Sequence, residues 1–132
     1  MPMTSSPRVY FDANVLMESV ESRSRVAEAD SVIQKNFGNM YISALTVHLV
    51  MYFGLKAYSA DVLKAFLADF TVLAVEPSDV VWAFDHMVKN DFEDALQVSV
   101  ALRTGCEVFY TFDRNLYAAY KYLPDLTMKL LG

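Results

Sequence analysis

Cysteine is almost missing from this chain of 132 residues: Cys106 stands alone. No intrachain disulfide can form, which excludes a disulfide-stapled fold and makes a reducing cytoplasm the expected setting. Cys106 lies in an apolar stretch with no histidine near it in sequence, so it reads as a small buried residue rather than a nucleophile. Glycine and proline number only four each, and no linker, repeat or low-complexity tract interrupts the chain. No apolar run is long enough to span a bilayer, so no membrane is expected. The start, MPMTSSPRVYFDAN, has no basic region followed by a long apolar stretch, so no secretory signal is expected there. Met1 to Pro7 reads as a short floppy lead-in. Positive charge is also short: the net charge is −5 at pH 7. A bulk field of that sign does not attract nucleic acid, so any such contact must be local and a cation must offset the acids.

Apolar residues are plentiful, at 55% against 20% charged. That is material for one packed domain over residues 1–132 and not for a disordered chain. Strand-like and helical stretches alternate, which predicts an α/β domain with a mostly parallel sheet. Arg8 to Phe11, Met40 to Ile42, Phe70 to Val75, Glu107 to Thr111 and Thr127 to Leu131 read as strands. Helical spacing covers Ser24 to Phe37, Ser43 to about Leu55, Ser59 to about Asp69, Pro77 to about Lys89, Asp91 or Phe92 to Thr104, and Asn115 to Tyr122. Gly38 stops the first of these and Gly105 caps the fifth.

In an open parallel sheet, ligands sit beyond the carboxyl ends of the strands. Asp12 directly follows the strand Arg8 to Phe11. Asp113 closely follows the strand Glu107 to Thr111. The run Asn90-Asp91-Phe92-Glu93-Asp94 opens the helix that leads into that strand, and such a helix starts at the same edge of the sheet. Asp12, Asp94 and Asp113 are therefore expected in one crevice. Carboxylates gathered there repel one another unless a cation sits between them. Hard oxygen ligands without histidine or cysteine select Mg²⁺ or Mn²⁺ over Zn²⁺, and such an ion serves phosphate chemistry. Each acid also has a plainer reading, as a helix N-cap, a turn residue or a partner of the helix dipole.

These segments resemble the PIN-domain nucleases. Val9-Tyr10-Phe11-Asp12-Ala13-Asn14-Val15-Leu16 is similar to the family's opening motif. Asp91-Phe92-Glu93-Asp94-Ala95-Leu96-Gln97, followed by Ala101, is similar to its central helix motif. Val108-Phe109-Tyr110-Thr111-Phe112-Asp113-Arg114-Asn115-Leu116 is similar to its closing motif. Order and spacing match over nearly the whole chain. The resemblance implies a three-layer α/β/α domain with a central parallel sheet. It also implies a Mg²⁺- or Mn²⁺-dependent endoribonuclease resembling the toxin component of VapBC-type toxin–antitoxin pairs, with RNA as substrate, a cognate antitoxin as partner and a homodimer as the usual state. By that match Asp12, Asp94 and Asp113 are the catalytic, metal-binding acids, and Asn14 and Thr111 support them; Asp91 is read beside them as a further supporting acid.

The sequence departs from the family at one acid. A glutamate usually stands about one turn into the helix that here begins Ser43-Ala44-Leu45-Thr46-Val47-His48-Leu49, and it falls at Leu49 or His48. His48 or Glu93 is a candidate substitute; His48 reads equally as a core-edge histidine. A PIN-like binding module that has lost catalysis is the alternative function. The same helix is almost without a polar face, so it is either deeply buried or shared with a second copy or an antitoxin. Tyr52, Tyr58, Trp82, Tyr117, Tyr120 and Tyr122 suit base stacking or a core, and none is assigned. A phospho-acceptor receiver domain is a distant alternative, weakened because Asp12 has no paired acid and no aspartate ends the strand Phe70 to Val75. A phosphatase of the haloacid dehalogenase type needs Asp-x-Asp, and position 14 is asparagine.

Overall fold

A computed structural model of the chain describes residues 6–132. Most of the expected lead-in, Met1 to Pro7, lies outside the described residues. Five strands, β1 (Val9–Phe11), β2 (Met40–Ser43), β3 (Thr71–Leu73), β4 (Val108–Thr111) and β5 (Thr127–Leu130), form one sheet in the order β3-β2-β1-β4-β5. Every pairing is parallel. Seven helices connect them: α1 (Ala13–Val20), α2 (Val26–Lys35), α3 (Ala44–Gly54), α4 (Ala60–Leu67), α5 (Pro77–His86), α6 (Phe92–Arg103) and α7 (Arg114–Tyr120).

The period-2 alternation of the strands divides the core into two layers. Val9, Phe11, Met40 and Ile42 pack with Leu16, Val32, Val50 and Leu63, drawn from α1 to α4. Tyr10, Phe109 and Met128 pack with Ala83, Val98, Leu116 and Tyr120, drawn from α5 to α7. The expected three-layer α/β/α arrangement is therefore present, with a wholly parallel sheet. The order also disposes of the receiver-domain alternative, whose sheet runs 2-1-3-4-5. The chain winds outward from β1 to β3, then crosses back to β4 on the other side. The crevice where the winding reverses lies at the carboxyl ends of β1 and β4.

The differences from the sequence reading have local causes. The helix α1 was not anticipated: Ala13, Val15, Leu16, Met17 and Glu18 are all buried, so the segment shows no polar face to mark a helical period. Its N-cap is Asp12, whose carboxylate accepts the Asn14 N–H. Glu18 is tolerated inside because the Arg25 backbone N–H and guanidinium both donate to it, at 3.2 and 3.1 Å. That use of Arg25 delays α2 until Val26, two residues after the expected Ser24. The end of α6 follows expectation in detail. Gly105, at φ +77°, stands one residue past the Thr104 cap, and Cys106 N–H closes on Ala101 O while Gly105 N–H closes on Leu102 O.

Helix α3 buries only Thr46, Val50 and Gly54. His48, Tyr52 and Phe53 are exposed, so deep burial does not explain its lack of a polar face. Gly54 is set by packing against α4: a Cβ there meets the Leu63 methyls at 2.8 and 2.9 Å. Helix propensity alone favours Gly54→Ala by up to about 1 kcal/mol. Leu63 is fully buried and cannot swing clear, so overpacking wins. Gly54→Ala is expected to destabilise the domain by roughly 1–3 kcal/mol in urea unfolding. An unchanged or raised midpoint would show that the α3–α4 approach is looser than this.

Candidate metal centre

The site is built around Asp12, which ends β1 and is only 3% exposed. Its backbone N–H donates to Tyr110 O at 2.9 Å, joining the end of β1 to β4. Its carboxylate is fully engaged. Oδ2 accepts the Thr111 hydroxyl at 2.7 Å. Oδ1 accepts Gln97 Nε2 at 3.1 Å and the Asn14 N–H at 3.4 Å. Burial pushes the Asp12 carboxyl upward; the hydrogen bonds from Thr111, Gln97 and Asn14 oppose it and the charge of Asp113 adds to it, so the net direction is up.

Asn14 and Thr111 knit the two strand ends together. Asn14 Nδ2 donates to Thr111 Oγ1 at 3.4 Å, and Asn14 Oδ1 accepts the Phe112 N–H at 3.3 Å. Thr111 Oγ1 also accepts the Asp113 N–H at 2.9 Å. Asp113 then caps α7, its Oδ1 taking Asn115 and Leu116 N–H at 2.8 and 3.2 Å. One hydroxyl thus fixes the spacing between Asp12 and Asp113.

Gln97 is the residue that sequence reasoning passed over. It is fully buried on α6, and while Nε2 holds Asp12 its Oε1 accepts Ala13 N–H at 3.2 Å, the Thr46 hydroxyl at 3.4 Å and the Tyr10 hydroxyl at 3.5 Å. A signal was present: a lone amide within the apolar run Ala95 to Ala101 must find partners inside the fold.

Three acids gather in front of Asp12. Asp91 caps α6 by accepting the Asp94 N–H at 3.1 Å. Carboxylate oxygens of Asp91, Asp94 and Asp113 lie within 4.8 Å of one another. Asp91, expected as a supporting residue, stands in this cluster, and Asp12 stands behind it. Burial, then a hydrogen bond to Asp91, then the charges of Asp12, Asp91 and Asp113 push Asp94 up to about 9. Glu93 is pushed up by burial and by the charges of Asp12 and Asp91, so it borders the site. His48 does not join it: its ring lies 6.0 Å from Tyr52 on the exposed side of α3.

This donor set fits a hard divalent cation. It offers only carboxylate oxygens, from three groups that cannot all ionise comfortably without a positive charge between them. Its members sit just past the end of β4 and at the start of α6, in the crevice that open α/β sheets use for ligands, with Asp12 at the end of β1.

Comparison with known proteins gives a consistent picture. The family model for the PIN domain matches residues 9–122. Among solved structures, a toxin–antitoxin complex from Klebsiella pneumoniae is 19% identical with a TM-score of 0.73, covering 90% of this chain and 95% of that one. VapC20 of Mycobacterium tuberculosis, described as a sarcin-ricin loop cleaving toxin, is 17% identical with a TM-score of 0.70, covering 85% and 95%. DNA-bound VapBC from Salmonella typhimurium is 16% identical with a TM-score of 0.66, covering 94% and 98%. No curated protein matches the sequence.

The raised Asp94 couples the site to pH. Its folded value of about 9 lies above its ordinary 3.8, so between those values the native state holds a proton that the unfolded chain does not. Stability without metal should therefore fall as pH rises through that window. A bound cation must displace the proton, so metal affinity should rise with pH by up to roughly tenfold per unit. Melting temperatures with and without Mn²⁺, taken from about pH 5 to pH 9, test this. A metal-induced shift that is the same at every pH would remove Asp94 from the metal centre.

Proposed function

Because the chain belongs to the PIN-domain family, we propose that it is a divalent-metal-dependent endoribonuclease and the toxin of a toxin–antitoxin pair. The observation that carries this reading is the cluster of Asp91, Asp94 and Asp113 in the crevice between β1 and β4, backed by the buried Asp12. The M. tuberculosis toxin's description as cleaving the sarcin-ricin loop supports RNA as substrate. The VapBC complexes support an antitoxin as partner.

In this mechanism Asp91, Asp94 and Asp113 hold Mg²⁺ or Mn²⁺. When bound there, such an ion would supply charge neutralisation at a phosphate oxygen and activation of water for hydrolysis of the phosphodiester. The chain's own contribution is placement. Two backbone N–H groups of α7 orient the Asp113 carboxylate. Asp94 holds a proton that it would give up on holding a cation. Gln97 and Thr111 hold Asp12 fixed, so that its negative charge remains behind the cluster. Asn14 and Thr111 keep the strand ends at their spacing. Glu93 sits close enough to Asp12 and Asp91 to add charge in place of the acid that α3 lacks. Against a net charge of −5, RNA is drawn locally, by cations such as Lys89, which lines the cavity beside Asp91 and Asp94, and the exposed Arg114 that follows Asp113.

The exposed side of α3 is the proposed partner surface. Tyr52, Phe53 and Leu55 are 58%, 42% and 51% exposed there, a patch suited to an antitoxin segment or to a second copy in a homodimer. Among the described residues no helix is long and apolar enough to cross a membrane.

One observation favours a second reading, a PIN-like binding module without catalysis: α3 brings no acid to the site, since Leu49 stands at the expected position and His48 points elsewhere in its contacts. The two readings separate on single-stranded RNA with Mn²⁺. The wild type is expected to cleave it, and Asp94→Asn to lose on the order of 100-fold or more in rate, as for loss of a metal ligand. Cleavage by Asp94→Asn at the wild-type rate would overturn the site assignment. A wild type that binds Mn²⁺ and leaves RNA intact would establish the binding module instead.

A further inference from the structure

A cavity of about 410 Å³ adjoins the acidic cluster, and no residue of α3 lines it. Asp91 and Asp94 form one wall of it, and the opposite wall is one face of α7. On that face Asn115, Ala118 and Ala119 follow one another at helical spacing, so they stand one above the next. Leu116 and Tyr120 close the floor, and both are buried. The space exists because positions 118 and 119 are alanines. Its volume is in the range that holds small ligands and cofactors.

The rim is shaped by an unusual turn. Val88 to Asp91 is closed by the Asp91 N–H donating to Val88 O at 3.1 Å. Both central residues have positive φ, 54° at Lys89 and 63° at Asn90. This is the mirror-image β-turn that glycine and asparagine fit well. Asn90 is at home there; a lysine with a Cβ is strained. The strained residue lines the cavity and is the cation among its lining side chains. Across from it the side-chain amide of Asn115, exposed and able to donate and accept, also lines the cavity. Asn115 uses its backbone N–H on Asp113, so the cavity and the metal centre share one helix end.

We propose that this cavity is a nucleoside subsite, holding the base and ribose next to the phosphate at the carboxylates, with Lys89 meeting the following phosphate and Asn115 reading the base edge. The proposal rests on the ribonuclease reading above. An apolar floor with one amide and one ammonium at its rim matches a nucleotide's flat base, polar edge and charged backbone. The adjoining acids disfavour an anionic ligand at the inner end unless a cation lies between, which places the phosphate at the metal centre and the base outward.

The test uses the full chain and fluorescein-labelled single-stranded oligoribonucleotides with Ca²⁺ in place of Mn²⁺, read by fluorescence anisotropy. Ala118→Phe fills the cavity and should weaken RNA binding roughly tenfold or more while leaving Mn²⁺ affinity unchanged. Lys89→Gly should raise the melting temperature by relieving the turn, yet weaken RNA binding and reduce its salt dependence by about one phosphate contact. Asn115→Ala should flatten the base preference next to the cut. If the wild type cleaves RNA and the first two variants bind it within about twofold of wild type, the subsite is wrong and the ribonuclease reading stands. If the wild type binds RNA without cleaving it and the variants lose binding, the ribonuclease reading falls and the subsite stands. A wild type that does not bind RNA overturns both.

Discussion

The buried carboxylate of Asp12 is the constraint on which the rest of this molecule depends. A carboxylate removed from water costs several kcal/mol unless its oxygens are taken up by donors. Asp12 has three such donors, and each comes from a different place: Gln97 from α6, Thr111 from the end of β4, and the Asn14 N–H from the first turn of α1. Satisfying one side chain therefore fixes the relative positions of the two central strands and two helices on opposite faces of the sheet. Gln97 extends the same bargain to α3 through the Thr46 hydroxyl. The core around it is apolar on both sides, so these polar groups find their partners within one small network.

This arrangement separates two tiers of acid. Asp12 is held rigidly and dry, with its oxygens committed to the protein. Asp91, Asp94 and Asp113 stand in front, each at a helix start, where backbone N–H groups orient the carboxylates of Asp91 and Asp113 and leave oxygens free. The rear charge acts on the front tier through space and contributes to the raised proton affinity of Asp94. The front tier is thus unstable as three anions and stable as a protonated cluster or a cation complex. A site of this kind gains affinity from repulsion already present in the fold.

Much of this was legible in the sequence, for an identifiable reason. The alternation of strand and helix fixed the class, and short apolar runs ending at Asp12 and Asp113 marked carboxyl edges without knowledge of strand order. What the sequence did not disclose were features with no periodic trace. Helix α1 has five of its eight residues buried, Glu18 among them, and so left no apolar–polar period to mark it. The edge strand β3 is shorter than its apolar run because only Thr71 to Leu73 pair with β2, while Phe70 is taken up by the core. Gln97 stood in the quoted motif yet was read as filler, since a buried amide declares itself only once its four partners, distant in sequence, are brought together. Sequence spacing likewise could not show that Asp91 would stand with Asp94 and Asp113, their carboxylate oxygens within 4.8 Å of one another, while the oxygens of Asp12 are taken up by Gln97, Thr111 and Asn14.

The missing acid of α3 looks different in this light. A glutamate on α3 would approach the cluster from the side of β2. Here that flank is closed by neutral groups, the hydroxyls of Ser43 and Thr46 beside Tyr10 and Gln97, and the helix turns its aromatic residues outward. The charge has instead accumulated on the opposite flank, where Asp91, Glu93 and Asp94 crowd one helix turn. On the proposed reading, the residues that would hold a cation come from the starts of α6 and α7, where Asp91 and Asp94 also line the α7 cavity, and the outer face of α3 contributes none of them. A face with no role in the chemistry can be covered by a partner without blocking the acids directly. Inhibition by an antitoxin docked on α3 would then have to come from a segment that reaches round to the crevice, because Thr46, which links α3 to Gln97, is fully buried.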